Sequence, residues 1–136
     1  MALDHPPSFE WIKRRFQIRS GDSAVVVMPY DRLKSMLAFF LELASVDEEW
    51  YGATYPDVAE GIEAGALASA KEHYVRYGYF EGRLPRKPAV DETWYLSINS
   101  DVAEGIAGGG LAPNEHYQEH GYREGRLPVR LPSYLE

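Results

Sequence analysis

The sequence predicts a mainly α-helical fold: two three-helix repeats of about 40 residues each, preceded by a β-hairpin and a long amphipathic helix. Three observations predict it. Residues 46–85 and 90–128 are near copies of one another. Within each copy, capping and apolar residues recur at helical spacing. The first 45 residues share none of that pattern and instead carry a hairpin signal followed by an apolar helical run. The chain accordingly divides into an N-terminal segment at 1–45, a first repeat at 46–88, and a second repeat with a C-terminal tail at 89–136.

In the N-terminal segment, "RRFQIRSGDSAVVVMP" alternates Phe16 and Ile18 with polar residues, turns at "SGDS" and continues into a β-branched run that Pro29 ends. The helix that follows, "DRLKSMLAFFLELAS", starts from Asp31 as N-cap and sets Leu33, Met36, Leu37, Phe40, Leu41 and Ala44 on one face. Phe39 and Leu43 widen that face beyond what a small domain covers, and a two-stranded ribbon is marginal alone. A homodimer is therefore expected, with Val25, Val27, Met36, Phe39, Phe40 and Leu43 at its interface.

The two copies align at an offset of 44 as far as Ala68 and Ala112, and of 43 from Glu72 and Glu115 onward; about 24 of 39 aligned positions are identical. The linker "RKPA" separates them. Each unit reads as three short helices. The first starts at Asp47 or Asp91 as N-cap and turns Trp50–Tyr51 or Trp94–Tyr95 inward. The second starts at "DVAE", where Asp57 and Glu60, or Asp101 and Glu104, have capping-box spacing, and stops at Gly65 or Gly109. The third starts at Ser69 with Glu72 three residues on, and ends at Gly78 or Gly121, where φ can turn positive. Leu67, Ala70, Tyr74 and Tyr77 are expected to face the core.

Composition removes several function classes. No cysteine is present, so disulfides, thiolate zinc and a Cys nucleophile are excluded. The net charge of −7 does not attract a phosphate backbone, so nucleic acid is not an expected partner, and "KRR" at Lys13–Arg15 reads as a solvated edge. "SMLAFFLELA" is too short to span a bilayer, and no basic segment leads into an apolar run at the N-terminus. Membrane insertion is not expected, and a cytoplasmic location is.

Chemistry-bearing residues concentrate in "EHYVRYGYFEGRLP" and "EHYQEHGYREGRLP". His116 and His120 sit four apart on one helical face, as metal ligands can. His116 matches His73, but His120 matches Tyr77, and zinc wants three or four convergent ligands; a metal is not expected. Glu81 and Glu124 with Asp57 and Asp101 invite a two-carboxylate glycosidase reading, yet the aspartates already have a capping task. In "EGRLP" the glycine lets the chain double back, Leu84 or Leu127 anchors it, and Arg83 or Arg126 can reach helix C-terminal carbonyls or stack on a tyrosine. No G-x-S-x-G elbow and no phosphate-binding loop is written.

With these residues located, the ordered pattern D-E-x-W-Y…D-V-A…G…H-Y…G…E-G-R-x-P resembles a short tandem repeat found in bacterial surface-polysaccharide and glycosyltransferase proteins and in some large secreted proteins. The resemblance covers about 46–128 and implies an accessory module that binds glycan or protein, or assists assembly; no glycosyltransferase domain accompanies it here. The expectation is thus a non-catalytic binding module without a cofactor, linked to polysaccharide biosynthesis and recognising a protein or a glycan. Tyr79 and Tyr122 are the candidates for stacking on sugar, with Arg83, Arg126, Glu81 and Glu124 for polar contacts; packing between the repeats is the weightier reading of the two tyrosines. The alternative is a small metal-binding or glycan-acting enzyme using His73, His116, His120 and the repeat glutamates.

Overall fold

A computed structural model describes residues 5–11 and 28–135 of the chain. The N-terminal helix α1 spans Tyr30–Leu41. The first unit comprises α2 at Glu48–Thr54, α3 at Pro56–Glu63 and α4 at Ala70–His73, which runs on as a π-helical turn over Tyr74–Gly78. The second unit repeats the series as α5 at Glu92–Ile98, α6 at Ser100–Ala107 and α7 at Pro113–His116, with its own π turn over Tyr117–Gly121. Residues 9–11 form one helical turn and Ser133–Leu135 a 3-10 turn.

The mainly helical expectation holds, and the hairpin needs correction: no strand is found among the described residues. Most of the stretch assigned to it, 12–27, lies outside them, with the interface candidates Val25 and Val27. Helix α1 starts two residues earlier than expected, with Pro29 at the cap and Asp31 inside the first turn. Leu41 is buried against the first unit, and Leu37, Ala38 and Ala44 pack beside it. Lys71 of α4 donates to the carbonyls of Glu42 and Ala44 at 2.7 and 2.6 Å, satisfying groups that the end of α1 leaves without partners.

Asp47 and Asp91 cap their helices as expected, accepting from the Trp50 and Trp94 amides at 2.9 and 3.1 Å. Asp57 and Asp101 do not cap theirs. Helices α3 and α6 begin earlier, at Pro56 and Ser100, and their caps Tyr55 and Asn99 make no side-chain cap bond. Ser69 caps α4, accepting from the Glu72 amide at 3.0 Å, while Glu72 accepts from Ala68 at 2.6 Å.

The π turns change which residues face inward. Bonds from Tyr79 N–H to Tyr74 C=O at 2.9 Å, and from Tyr122 to Tyr117 at 3.0 Å, span five residues instead of four. One extra residue per turn rotates everything after it, so Tyr77 is 43% exposed instead of buried, whereas Tyr79 and Tyr122 are 1% exposed. Gly78 and Gly121 are glycines for a different reason than expected. Their φ values are not positive; a Cβ at either would run into the Tyr51 or Tyr95 hydroxyl. Positive φ falls instead at Gly82 and Gly125, +77° and +76°, where "EGRLP" doubles back.

Each turn then closes its own unit: Asp47 N–H donates to Pro85 C=O and Asp91 N–H to Pro128 C=O, both at 3.0 Å. Two cores result. One gathers Tyr51, Val58, Ala70, Tyr74, Val75 and Tyr79 with Phe9 and Leu41. The other gathers Tyr95, Val102, Tyr117 and Tyr122 with Leu84, which the first unit contributes.

Candidate functional site

The same polar constellation is built twice. Arg83, on the far limb of the glycine turn, sends both terminal nitrogens to Asp57 at 2.8 Å and its Nε to Glu81 at 2.9 Å. Arg126 does likewise with Asp101 at 2.9 and 2.7 Å and with Glu124 at 2.6 Å. A planar guanidinium fits a carboxylate in this two-point manner, which fixes direction as well as charge. The surroundings differ by one substitution: the Arg83 guanidinium lies 4.9 Å from the centre of the Tyr55 ring, whereas Arg126 bonds to the Asn99 side-chain carbonyl at 2.8 Å.

Behind each arginine lies a tyrosine–histidine pair, buried in the first unit and part-buried in the second. Tyr51 Oη and His73 Nδ1 share a hydrogen bond of 3.0 Å, as do Tyr95 Oη and His116 Nδ1. His73 Nε2 comes within 4.0 Å of Glu81. Burial lowers both histidines' affinity for a proton, and the nearby Arg83 and Arg126 lower it further. Burial raises the Tyr51 phenol well above its ordinary value and pushes Tyr95 up to about 12. Hydrogen bonding to Arg83 and Arg126 holds the Asp57 and Asp101 carboxyls low, Asp101 at about 2. A nucleophilic phenolate or a protonated carboxylic acid needs shifts of the opposite sign. The arrangement favours neutral histidines, neutral tyrosines and paired charges, which clasp each glycine turn to the helix beside it.

The residues expected to bind ligand divide accordingly. Arg83, Arg126, Glu81 and Glu124 serve the clasps, their carboxylates about half exposed. Tyr79 and Tyr122 do not offer their faces to solvent and cannot act as an exposed stacking platform. They lie in the seam between the units, where the buried Tyr74 and Tyr122 hydroxyls face one another. A cleft of about 180 Å³ opens beside them, walled also by Glu81, Arg123 and Phe9. His116 and His120 rings lie 5.6 Å apart, and His116 directs Nδ1 at Tyr95. Among the described residues, no group of three or more histidines, aspartates or glutamates is placed to hold a metal ion.

Two features carry no short sequence signal. Glu48 reaches from α2 to the start of α4, accepting from the Ala70 and Lys71 amides at 2.7 and 3.0 Å. Segment 5–11 enters the seam, burying His5, Ser8 and Phe9. On the outer side of α1, Met36, Phe39 and Phe40 are 46, 75 and 63% exposed, and Leu43 in the turn that follows is 83% exposed. No described helix is long and apolar enough to cross a membrane. Compared with protein-family models, curated proteins and solved structures, the chain finds no match.

Proposed function

We infer that the chain is a non-catalytic binding or assembly module that works by protein recognition and self-associates through α1. The observation that carries this reading is the apolar outer face of α1. Met36, Phe39 and Phe40 follow the i, i+3, i+4 spacing by which helices dock, Leu43 in the turn after α1 extends the patch, and Phe39 and Leu43 are more exposed than buried by a wide margin. Their combined exposed surface is on the order of 500–600 Å² per copy, so two copies would bury roughly 1,100 Å², close to the lower end of specific interfaces. The repeats support the non-catalytic part, because their arginines, carboxylates and histidines are engaged by one another in duplicate.

Surface-polysaccharide assembly, implied by the motif resemblance, remains the proposed setting. A glycan would have to be met by residues other than the buried Tyr79 and Tyr122. Sedimentation velocity at micromolar concentration tests the reading. The wild type should sediment as a dimer, and Phe39→Glu with Leu43→Glu as a monomer with unchanged far-UV circular dichroism. A wild-type mass equal to one chain at tens of micromolar would overturn self-association. Near-stoichiometric zinc in purified protein would instead favour the metal-binding alternative.

A further inference from the structure

The contacts of segment 5–11 read as those of a docked peptide. His5 and Pro6 each precede a proline, which drives their backbone away from the α region, and each proline ring holds φ near about −65°. The stretch therefore arrives extended, with little conformational freedom left to lose. What receives it is a set of tyrosines drawn from both units. His5 Nε2 and the Tyr117 hydroxyl share a 2.8 Å hydrogen bond, and the His5 ring stands 5.6 Å from the Tyr122 ring, edge to face. The Tyr79 hydroxyl donates to the Pro7 carbonyl at 2.9 Å. Phe9 meets Phe80 and Tyr79 edge-on, with ring centres 5.6 and 6.4 Å apart. The contacts thus come from the His5 ring, the Pro7 carbonyl and the Phe9 ring. Ser8 Oγ then accepts from the Trp11 amide at 3.1 Å and turns the chain into a helical turn.

We propose that the seam between the repeats is a recognition groove for an extended peptide of the pattern His-Pro-Pro-x-aromatic, occupied by the chain's own residues 5–11 and exchangeable for the same pattern on a partner protein. Duplication makes the groove. Tyr74 and Tyr79 in one unit are matched by Tyr117 and Tyr122 in the other, and only adjacency of the units brings the two sets together. The contacts use an imidazole, a main-chain carbonyl and a phenyl ring, which any chain with the pattern supplies without being covalently continuous with the repeats. The resident segment also leaves the groove incompletely filled. The cleft of about 180 Å³ beside Ser8–Glu10 stays open, bordered by Tyr79, Glu81, Tyr122 and Arg123. A longer or bulkier segment has space to fill there, beside the charged Glu81 and Arg123.

The inference rests on the reading of the chain as a binding module, but not on the outer face of α1. Its test is calorimetric titration of the synthetic peptide HPPSFEW into the full chain carrying Phe9→Ala, which weakens the resident segment. Saturable one-to-one binding is expected, weaker by about tenfold or more for the wild-type chain, where the tethered copy competes at millimolar effective concentration. A peptide with alanine in place of its phenylalanine should also bind about tenfold more weakly. Absence of binding by a Phe9→Ala chain with wild-type circular dichroism, or equal binding of the two peptides, would overturn the proposal. If Phe9→Ala does not fold, hydrogen exchange on the wild type decides. Millimolar peptide should speed exchange across 5–11 while 70–85 stays protected, and unchanged exchange across 5–11 counts against the groove. Peptide binding that persists in the Phe39→Glu, Leu43→Glu chain separates the two readings: loss of binding with self-association intact removes the groove alone.

Discussion

The two units hold the same clasp but anchor their third helices differently. In the first unit, α4 begins with a serine cap, two amides received by Glu48, and a lysine that reaches the end of α1. In the second, the cap Ala112 makes no side-chain bond to α7, and Pro113 stands at the first helical position with no N–H to donate. The difference separates what the repeat requires from what one copy has added. Tyrosine–histidine and arginine–carboxylate pairs recur with nearly equal geometry, whereas the capping of the third helix varies. The clasp defines the unit, and helix capping adjusts how firmly one unit is joined to its neighbours.

The largest expected effect tests the shared part. Gly78→Ala and Gly121→Ala each drive a methyl into a buried tyrosine hydroxyl and should cost about 3 kcal/mol or more in denaturant melts. Tyr51→Phe and Tyr95→Phe should recover part of the loss in their own units only. Recovery by the wrong partner would break the equivalence of the copies. Next, Arg83→Met and Arg126→Met each leave two carboxylates without their partner and should cost about 1–2 kcal/mol. Double-mutant cycles with Asp57→Asn and Asp101→Asn should show favourable coupling in both units, and a large disparity between units would show that the clasps are not equivalent.

The unshared part predicts an asymmetry. Glu48→Ala should cost about 1 kcal/mol through the loss of its two amide bonds, while Glu92→Ala should stay within about 0.5 kcal/mol. Thermal melts of the pair check it, and equal losses would refute the assignment. Smallest is the pH effect. Both clasp histidines have folded pKa values below their unfolded ones, so the unfolded chain takes up protons first as pH falls through about 6.5. Stability should decline there and level off once the folded histidines also titrate; the aspartates add a second decline only under more acid conditions, toward about 2 for Asp101. Urea midpoints between pH 8 and 5 check the first decline, and a rise in midpoint toward pH 5 would contradict the sign.

Local signals were legible and non-local ones were not. The Asp47 and Asp91 caps, the Ser69 cap and the doubling back at Gly82 can each be read from neighbouring residues, because the groups that meet lie within a few positions, and the duplication shows on aligning 46–85 with 90–128. The π turns could not, since Tyr77 and Tyr79 both suit an inward position and the choice depends on where the Tyr51 hydroxyl sits. Asp57 has the spacing of a cap, but Arg83, 26 residues later, claims it. The seam was least visible: its bonds join residues 72 and 112 positions apart, and nothing near Tyr79 or Tyr122 announces the segment that covers them.

Leu84 has a consequence for how the molecule comes apart. By sequence it belongs to the first copy, but its side chain is part of the second copy's apolar core. Melting the second unit would therefore expose a residue that the first unit's turn holds in place, so the free energy of one cannot fall without drawing on the other. The copies should unfold in a single transition despite their separate cores. A boundary cut at the "RKPA" linker would pass beside the leucine that joins them, which makes the duplicated pair, and not the single repeat, the smallest cooperative unit of this chain.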